Sequence, residues 1–278
     1  MDFLINADEL YNRMEDVVII DVRFELMNPD KGYELYRQSH IPGAVYFDLN
    51  KDLSSERQKH GGYHPLPEQN DLLTKLSKAG VTKDSTIVIY DQGDAMFAAR
   101  LFWLLDYYNH ERKFILDGGF KAWISKGFPT TRVVKRPSRT SYAAQPIEEM
   151  TVDIEQVKQK KDRDDTILLD ARSIERFNGE YEPIYDKAGH IPGAKCFDWT
   201  FVLNDEGKWK TKEELSAYFE ELDPDKEIIL SCGSGVSTSM NYLALTALGY
   251  KNIRLYPGSY SDWISYPELP IATKKDLE

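Results

Sequence analysis

The residues with the clearest chemical promise are Cys232-Gly233-Ser234-Gly235-Val236-Ser237. An apolar run, 227–231, leads into the cysteine, two glycines follow within three residues, and a helical pattern begins directly afterwards. In open α/β sheets, ligands bind beyond the carboxyl ends of the strands. Glycines let the backbone turn its N–H groups into one concavity at a helix N-terminus, a nest for an anion. A cysteine at the foot of such a nest reads as a nucleophile. A free thiol of pKa about 8.5 is only about 3% thiolate at pH 7, and reaching about 75% needs roughly 2.7 kcal/mol of preferential stabilisation of the anion. A helix dipole supplies about 0.3–1 kcal/mol, so amide hydrogen bonds to sulfur and a nearby cation must contribute the rest. A cysteine phosphatase would need an arginine six positions after the cysteine to hold phosphoryl oxygens. Thr238 stands there, and the loop holds no basic residue.

The elements that position this loop are written twice. Asp21-Val22-Arg23 recurs as Asp170-Ala171-Arg172, and Ser39–Ala44 (SHIPGA) as Gly189–Ala194 (GHIPGA). Further on, 87–93 matches 228–235, which puts Asp91 opposite Cys232, and 117–123 matches 257–263. Matches in one order mean a duplicated domain. In the first half the pattern predicts a helix near 7–14 and strands at 17–21, 44–48, 86–90 and 113–116. In the second it predicts a helix over 152–161 and strands at 166–170, 194–198, 227–231 and 252–256. A capping-box helix opens at Thr211 and runs to about Leu222, and an apolar stripe predicts a helix over 234–248. Strands alternating with helices indicate α/β domains, each a mostly parallel sheet with helices on both faces. The expected division is 1–128, a solvated linker at 129–150 interrupted by Pro129, Pro137 and Pro146, and 151–278.

Composition narrows the function. The chain has 278 residues, 41% hydrophobic and 29% charged, as globular domains do. Its 46 acidic against 35 basic residues give a net charge of −11, unsuited to nucleic acid or anionic membranes. No apolar run is long enough to span a bilayer, and MDFLINADEL lacks the features of a signal peptide. Two cysteines make no disulfide framework, so the chain reads as cytoplasmic. The histidines are dispersed, so neither a metal site nor a cofactor is expected. His40 and His190 share one repeat position and read as structural, and Cys196, opposite Tyr46, reads as packing.

Together the two HIPGA boxes, the DAR box followed by Arg176-Phe177-Asn178-Gly179, and the cysteine loop resemble the tandem rhodanese-like sulfurtransferases. The resemblance covers nearly the whole chain and implies two rhodanese-like domains, with Asp91 marking an inactive first one. It implies that Cys232 takes sulfur from a small-molecule donor as a persulfide and passes it to a thiol, cyanide or a thioredoxin-type acceptor. The uncharged loop is similar to the 3-mercaptopyruvate type, with Ser237 for its threonine; thiosulfate enzymes usually carry Arg and Lys there. Arg176 matches the arginine that grips the donor's carboxylate, while Ile184 follows Glu182-Pro183 where a second arginine is usual. Ser234 and His64 match the serine and histidine of a proton relay, with Asn50 at its acidic position. Arg172 reads as structural. The rival reading is a sulfur carrier or regulatory binding module with little turnover.

Overall fold

The apolar runs of both halves form parallel strands. In the computed structural model, which describes residues 1–276, the first half builds β1 (Leu4–Ile5), α1 (Ala7–Arg13), β2 (Val17–Asp21), α2 (Lys31–Gln38), β3 (Val45–Tyr46), α3 (Gln69–Lys78), β4 (Thr86–Tyr90), α4 (Met96–Tyr107), β5 (Lys113–Leu116) and α5 (Gly119–Ser125). Its sheet has the order β1-β5-β4-β2-β3, every pair parallel. The second half builds α6 (Ile154–Lys160), β6 (Thr166–Asp170), α7 (Ile174–Phe177), β7 (Lys195–Cys196), α8 (Lys212–Tyr218), β8 (Glu227–Ser231), α9 (Thr238–Ala247), β9 (Ile253–Leu255) and α10 (Ser259–Trp263). Its sheet runs β7-β6-β8-β9, again parallel throughout. Parallel strands need crossovers, and their burial on both faces explains the continuous apolar runs VVII, TIVIY, TILL and EIIL.

Register sets where chemistry can occur. β2 pairs with β4 so that Asp21 lies level with Tyr90, and β6 pairs with β8 so that Asp170 lies level with Ser231. The loops beginning at Asp91 and Cys232 therefore leave equivalent sheet ends. Each DAR arginine braces that end. Arg172 makes a forked pair with Asp170, Nη2–Oδ2 2.6 Å, donates to the Gly189 carbonyl, and lies over the Tyr260 ring. Arg23 repeats this with Asp21, the Ser39 carbonyl and the Phe120 ring. The HIPGA histidines are structural too. His40 Nδ1 lies 2.6 Å from the Tyr36 carbonyl and His190 Nδ1 2.8 Å from that of Phe177, each ring stacked on the same aromatic residue.

The compact units depart from contiguous halves. One unit comprises Met1–Ser55, Leu66–Ile147 and Leu203–Trp209; the other comprises Glu56–Pro65, Glu148–Val202 and the chain from Lys210 onward. Segment 56–65 has no apolar run with which to build on its own core, and its backbone finds partners on α10. Gly61 N–H donates to Asp262 Oδ1 (2.7 Å) and Tyr63 N–H to Ser261 Oγ (3.1 Å). Segment 203–209 joins the first unit through Trp209, whose ring packs on Phe3 and whose backbone N–H donates to Asp117. The expected linker is largely exposed, and a few of its residues are anchored by hydrogen bonds. Thr131 bridges His40, and Thr140 and Tyr142 bond to Ser77. α9 begins at Thr238, four residues later than its apolar stripe suggests, because the residues after Cys232 form a loop.

Candidate active site

Cys232 follows the last residue of β8 and is 1% exposed. Its own N–H donates to Ser259 Oγ (3.1 Å), and its carbonyl accepts from Tyr260 N–H (3.0 Å). Gly233 is tied to α10 in the same way, accepting from Ser261 N–H at 2.9 Å. The turn then brings Gly235 N–H to within 3.1 Å of Cys232 Sγ, the amide-to-sulfur contact that stabilises a thiolate or persulfide. Glycine is required at 235: φ is +78°, and a Cβ would collide with the Pro257 carbonyl. Val236 is buried, and Ser237 forms the N-cap of α9. Ser259 holds a left-handed φ of +53°, a conformation that disfavours side chains by roughly 1–2 kcal/mol. Its hydroxyl offsets this by donating to the Tyr256 carbonyl (2.8 Å) while receiving the Cys232 N–H.

Segment 56–65 brings His64 to the loop. His64 Nδ1 lies 2.8 Å from Ser234 Oγ, so two of the expected relay residues meet although 170 positions separate them. Besides the two backbone bonds to α10, His60 Nδ1 lies 2.7 Å from Ser265 Oγ and its ring stacks on Tyr266. Asp262, which receives Gly61 N–H, also accepts from the Tyr256 hydroxyl at 2.6 Å. Asn50 belongs to the first unit, where its N–H donates to Asp48.

Arg176 projects from α7 and is already engaged. Its Nε and Nη2 hold both carboxylate oxygens of buried Glu182, at 3.1 and 2.9 Å. Glu182 also accepts from Arg172 Nη1 at 3.1 Å, and its Oε1 receives the N–H of Ile184 (3.0 Å). The side chain at 184 is 38% exposed, so the usual place of the second arginine faces outward.

One residue of the site has no signature in the sequence. Tyr185 is buried, with its hydroxyl against Gly233, where a Cβ would collide with it. Burial, and then the charge of nearby Cys232, push its phenol well above the ordinary range, so it stays neutral. No spacing rule aims a tyrosine after Glu-Pro-Ile at a loop some 50 residues later. Only the fold does so.

The first unit carries the same nest with a built-in anion. The Asp91 carboxylate accepts from the N–H groups of Gly93, Ala95, Phe97 and Ala98 at 2.9–3.2 Å. Burial, reinforced by Asp94, nonetheless pushes it up to about 7. Cys196, the other cysteine, is part-buried and donates to the Arg172 carbonyl; burial and Asp170 raise its thiol to about 12. Among the described residues, no cluster of three His, Cys, Asp or Glu side chains is arranged to hold a metal.

Comparison with known proteins agrees with this architecture. The rhodanese-like domain pattern matches residues 6–126 and again 153–266. A Pseudomonas aeruginosa protein named "Probable 3-mercaptopyruvate sulfurtransferase" is 38% identical over 97% of this chain and 98% of its own. A thiosulfate sulfurtransferase of Azotobacter vinelandii is 30% identical over 85% of this chain and 86% of its own. The crystal structure of SseA from Escherichia coli, described as a 3-mercaptopyruvate sulfotransferase of rhodanese fold, superposes with a TM-score of 0.83 at 32% identity, covering 93% of this chain and 99% of that one. With two matched domains and full-length relatives, the chain belongs to the rhodanese-like family.

Proposed function

We propose that this protein is a sulfurtransferase that draws sulfur from 3-mercaptopyruvate, or less readily from thiosulfate, onto Cys232 and delivers it to a thiol or cyanide. The observation that carries the reading is the Gly235 N–H aimed at Cys232 Sγ at the end of a central parallel strand. The thiolate attacks the donor sulfur, and the persulfide formed is an anion that the loop amides stabilise. Ser234 and His64 move the proton that the donor carbon requires. Arg176 offers its remaining nitrogen, Nη1, to the donor's carboxylate, with Glu182 fixing the guanidinium plane. The charges Arg172, Arg176, Asp170 and Glu182 cancel, which suits a monoanionic donor better than dianionic thiosulfate. The full-length relative named for 3-mercaptopyruvate supports the same donor preference. A thioredoxin-type dithiol is the acceptor class we favour. A cytoplasmic setting suits a free thiol nucleophile, and no helix among the described residues is long and apolar enough to cross a membrane.

The test is steady-state release of pyruvate from 3-mercaptopyruvate and of sulfite from thiosulfate, with excess thiol acceptor. Wild type releases pyruvate over many turnovers and prefers that donor; Cys232→Ser releases neither product. A single equivalent of product followed by arrest would instead mark a sulfur carrier, and activity surviving in Cys232→Ser would remove Cys232 from the mechanism.

A further inference from the structure

The first unit carries a cavity that the chemistry of Cys232 does not use. It lies along β3, the edge strand of the sheet, and its volume of about 360 Å³ falls within the roughly 300–1,000 Å³ of small-molecule sites. Part of its lining is a tyrosine cluster, Tyr33, Tyr36 and Tyr46, with ring centroids 5.4–6.2 Å apart. The Tyr36 and Tyr46 hydroxyls donate to the Ala44 and Arg23 carbonyls at 2.9 and 3.1 Å, which fixes those rings, while Tyr33 is 49% exposed. Segment 134–137 supplies another wall and is pinned on both sides. Before it, Thr131 pairs with His40 and Arg132 Nε donates to the Gln38 carbonyl at 3.1 Å; after it, Thr140 N–H donates to the Ser77 carbonyl at 3.0 Å. Four cations line the cavity, Lys75, Lys78, Lys135 and Arg136, and among the described residues no carboxylate does. Lys75 is paired with Asp52 at 2.7 Å, whereas Lys78, Lys135 and Arg136 have no ion pair among the described residues. In a chain of net charge −11, this lining runs against the overall balance.

We propose that this cavity binds a nucleoside phosphate, its base stacked on Tyr33 and its phosphates held by Lys78, Lys135 and Arg136. An inorganic anion would use the cations and leave the tyrosine surface bare. A neutral ring would cover the tyrosines and leave the cations unmatched. A ligand with a flat ring at one end and negative oxygens at the other uses both. The guanidinium fork of Arg136 can grip phosphate oxygens in two places, and the lysines add point charges. Three uncommitted cations suit a diphosphate better than a monophosphate. Stacking on tyrosine is tolerant of base identity, so the class of ligand follows from the lining and the particular base does not. Charges act over about 10 Å at 0.1 M salt, so a small anion inside the cavity feels its lining, whereas a polyanion laid across the surface would meet the acidic remainder of the chain. No covalent step is involved.

The experiment is calorimetric titration of the full chain with ADP, adenosine and inorganic pyrophosphate, each alone, without divalent cations or any sulfur donor. The expected result is one site for ADP with a Kd of about 1–100 µM, and binding of adenosine and of pyrophosphate at least about tenfold weaker. Lys135→Ala combined with Arg136→Ala should weaken ADP at least about tenfold. Tyr33→Ala should weaken it at least about fivefold, the low end of what base–aromatic stacking supplies, and Tyr33→Phe, which keeps the ring, should bind as wild type does. All these side chains are exposed, so thermal melts of the variants without ligand should match wild type and show that they fold. No detectable binding of ADP at about 1 mM would overturn the proposal. Pyrophosphate binding as tightly as ADP would overturn it too, since the tyrosines would then contribute nothing, and adenosine doing so would remove the cations. ADP binding that none of the substitutions weakens would place the ligand elsewhere. Because no sulfur is transferred in this titration, its outcome is separate from that of the sulfurtransferase reading.

Discussion

At the residue scale, the two cysteines show how environment separates chemistry from packing. Cys232 has an amide hydrogen aimed at its sulfur and a loop whose first two residues are tied to α10. Cys196 donates to the Arg172 carbonyl; burial first, then Asp170 and Asp198, disfavour its anion and push its thiol to about 12. At neutral pH its thiolate fraction is negligible, so Cys196→Ser should leave turnover within about twofold of wild type and lower stability by no more than about 1 kcal/mol. Steady-state rates and thermal melts of that variant check this; a large loss of turnover would mean a second sulfur participates. The residues that complete the site differ in how far they could be read in advance. Ser234 lies inside the motif. His64 was visible as a histidine at a matching position, whereas Tyr185 and Ser259 are ordinary residues whose importance comes from what faces them.

At the scale of elements, α10 and segment 56–65 act together. α10 receives the cysteine loop on one side through Tyr260 and Ser261, and through Asp262 and Ser261 it holds the segment that carries His64. Asp262→Ala removes the acceptor of Gly61 N–H and leaves the buried Tyr256 hydroxyl without its partner. That should loosen 56–65, speed hydrogen exchange there, and lower mercaptopyruvate turnover about tenfold. Placed on His64→Ala, the same substitution should cost less than about twofold more, because both act through one side chain. Fully additive losses in that double-mutant cycle would disprove that Asp262 acts through His64. The helix boundary at Thr238 teaches a related point. The apolar stripe continues back through Val236, yet at Gly235 the backbone N–H turns toward the Cys232 sulfur and the helix begins only at Thr238.

At the scale of the whole molecule, duplication has produced two nests and filled one with its own carboxylate. Asp91 is fully buried and its pKa is raised to about 7, well above that of an unfolded aspartate. The folded state therefore binds this proton more tightly than the unfolded state. Its contribution to stability is fully present below about pH 4 and is lost as pH rises through about 7. Relative to Asp91→Asn, wild type should lose stability across that window and run parallel to the variant above it. Paired melts from pH 4 to 8 measure the difference, and a gap that does not change with pH would show that Asp91 titrates as an exposed carboxylate. The acidic surface, with a net charge of −11, is a separate matter of solubility and partner choice.

Five strands could be placed to the residue because parallel strands buried on both faces must be continuous apolar runs: 17–21, 86–90, 113–116, 166–170 and 227–231. The duplication, the loop after β8 and the contrast of Asp91 with Cys232 were legible for the same reason: each is a local pattern repeated in order. The short strands 4–5, 45–46 and 195–196 were blurred or missed, since two residues carry no periodicity. What tertiary structure alone decided are the meetings between segments: His64 with Ser234, Tyr185 with Gly233, and 56–65 with α10. The forked pair that Arg176 makes with Glu182 belongs with them, although only six positions separate the two, because it depends on the turn between them. Such contacts are fixed by the closure of loops over a packed core, and sequence spacing carries no record of which loop ends will come within hydrogen-bond distance.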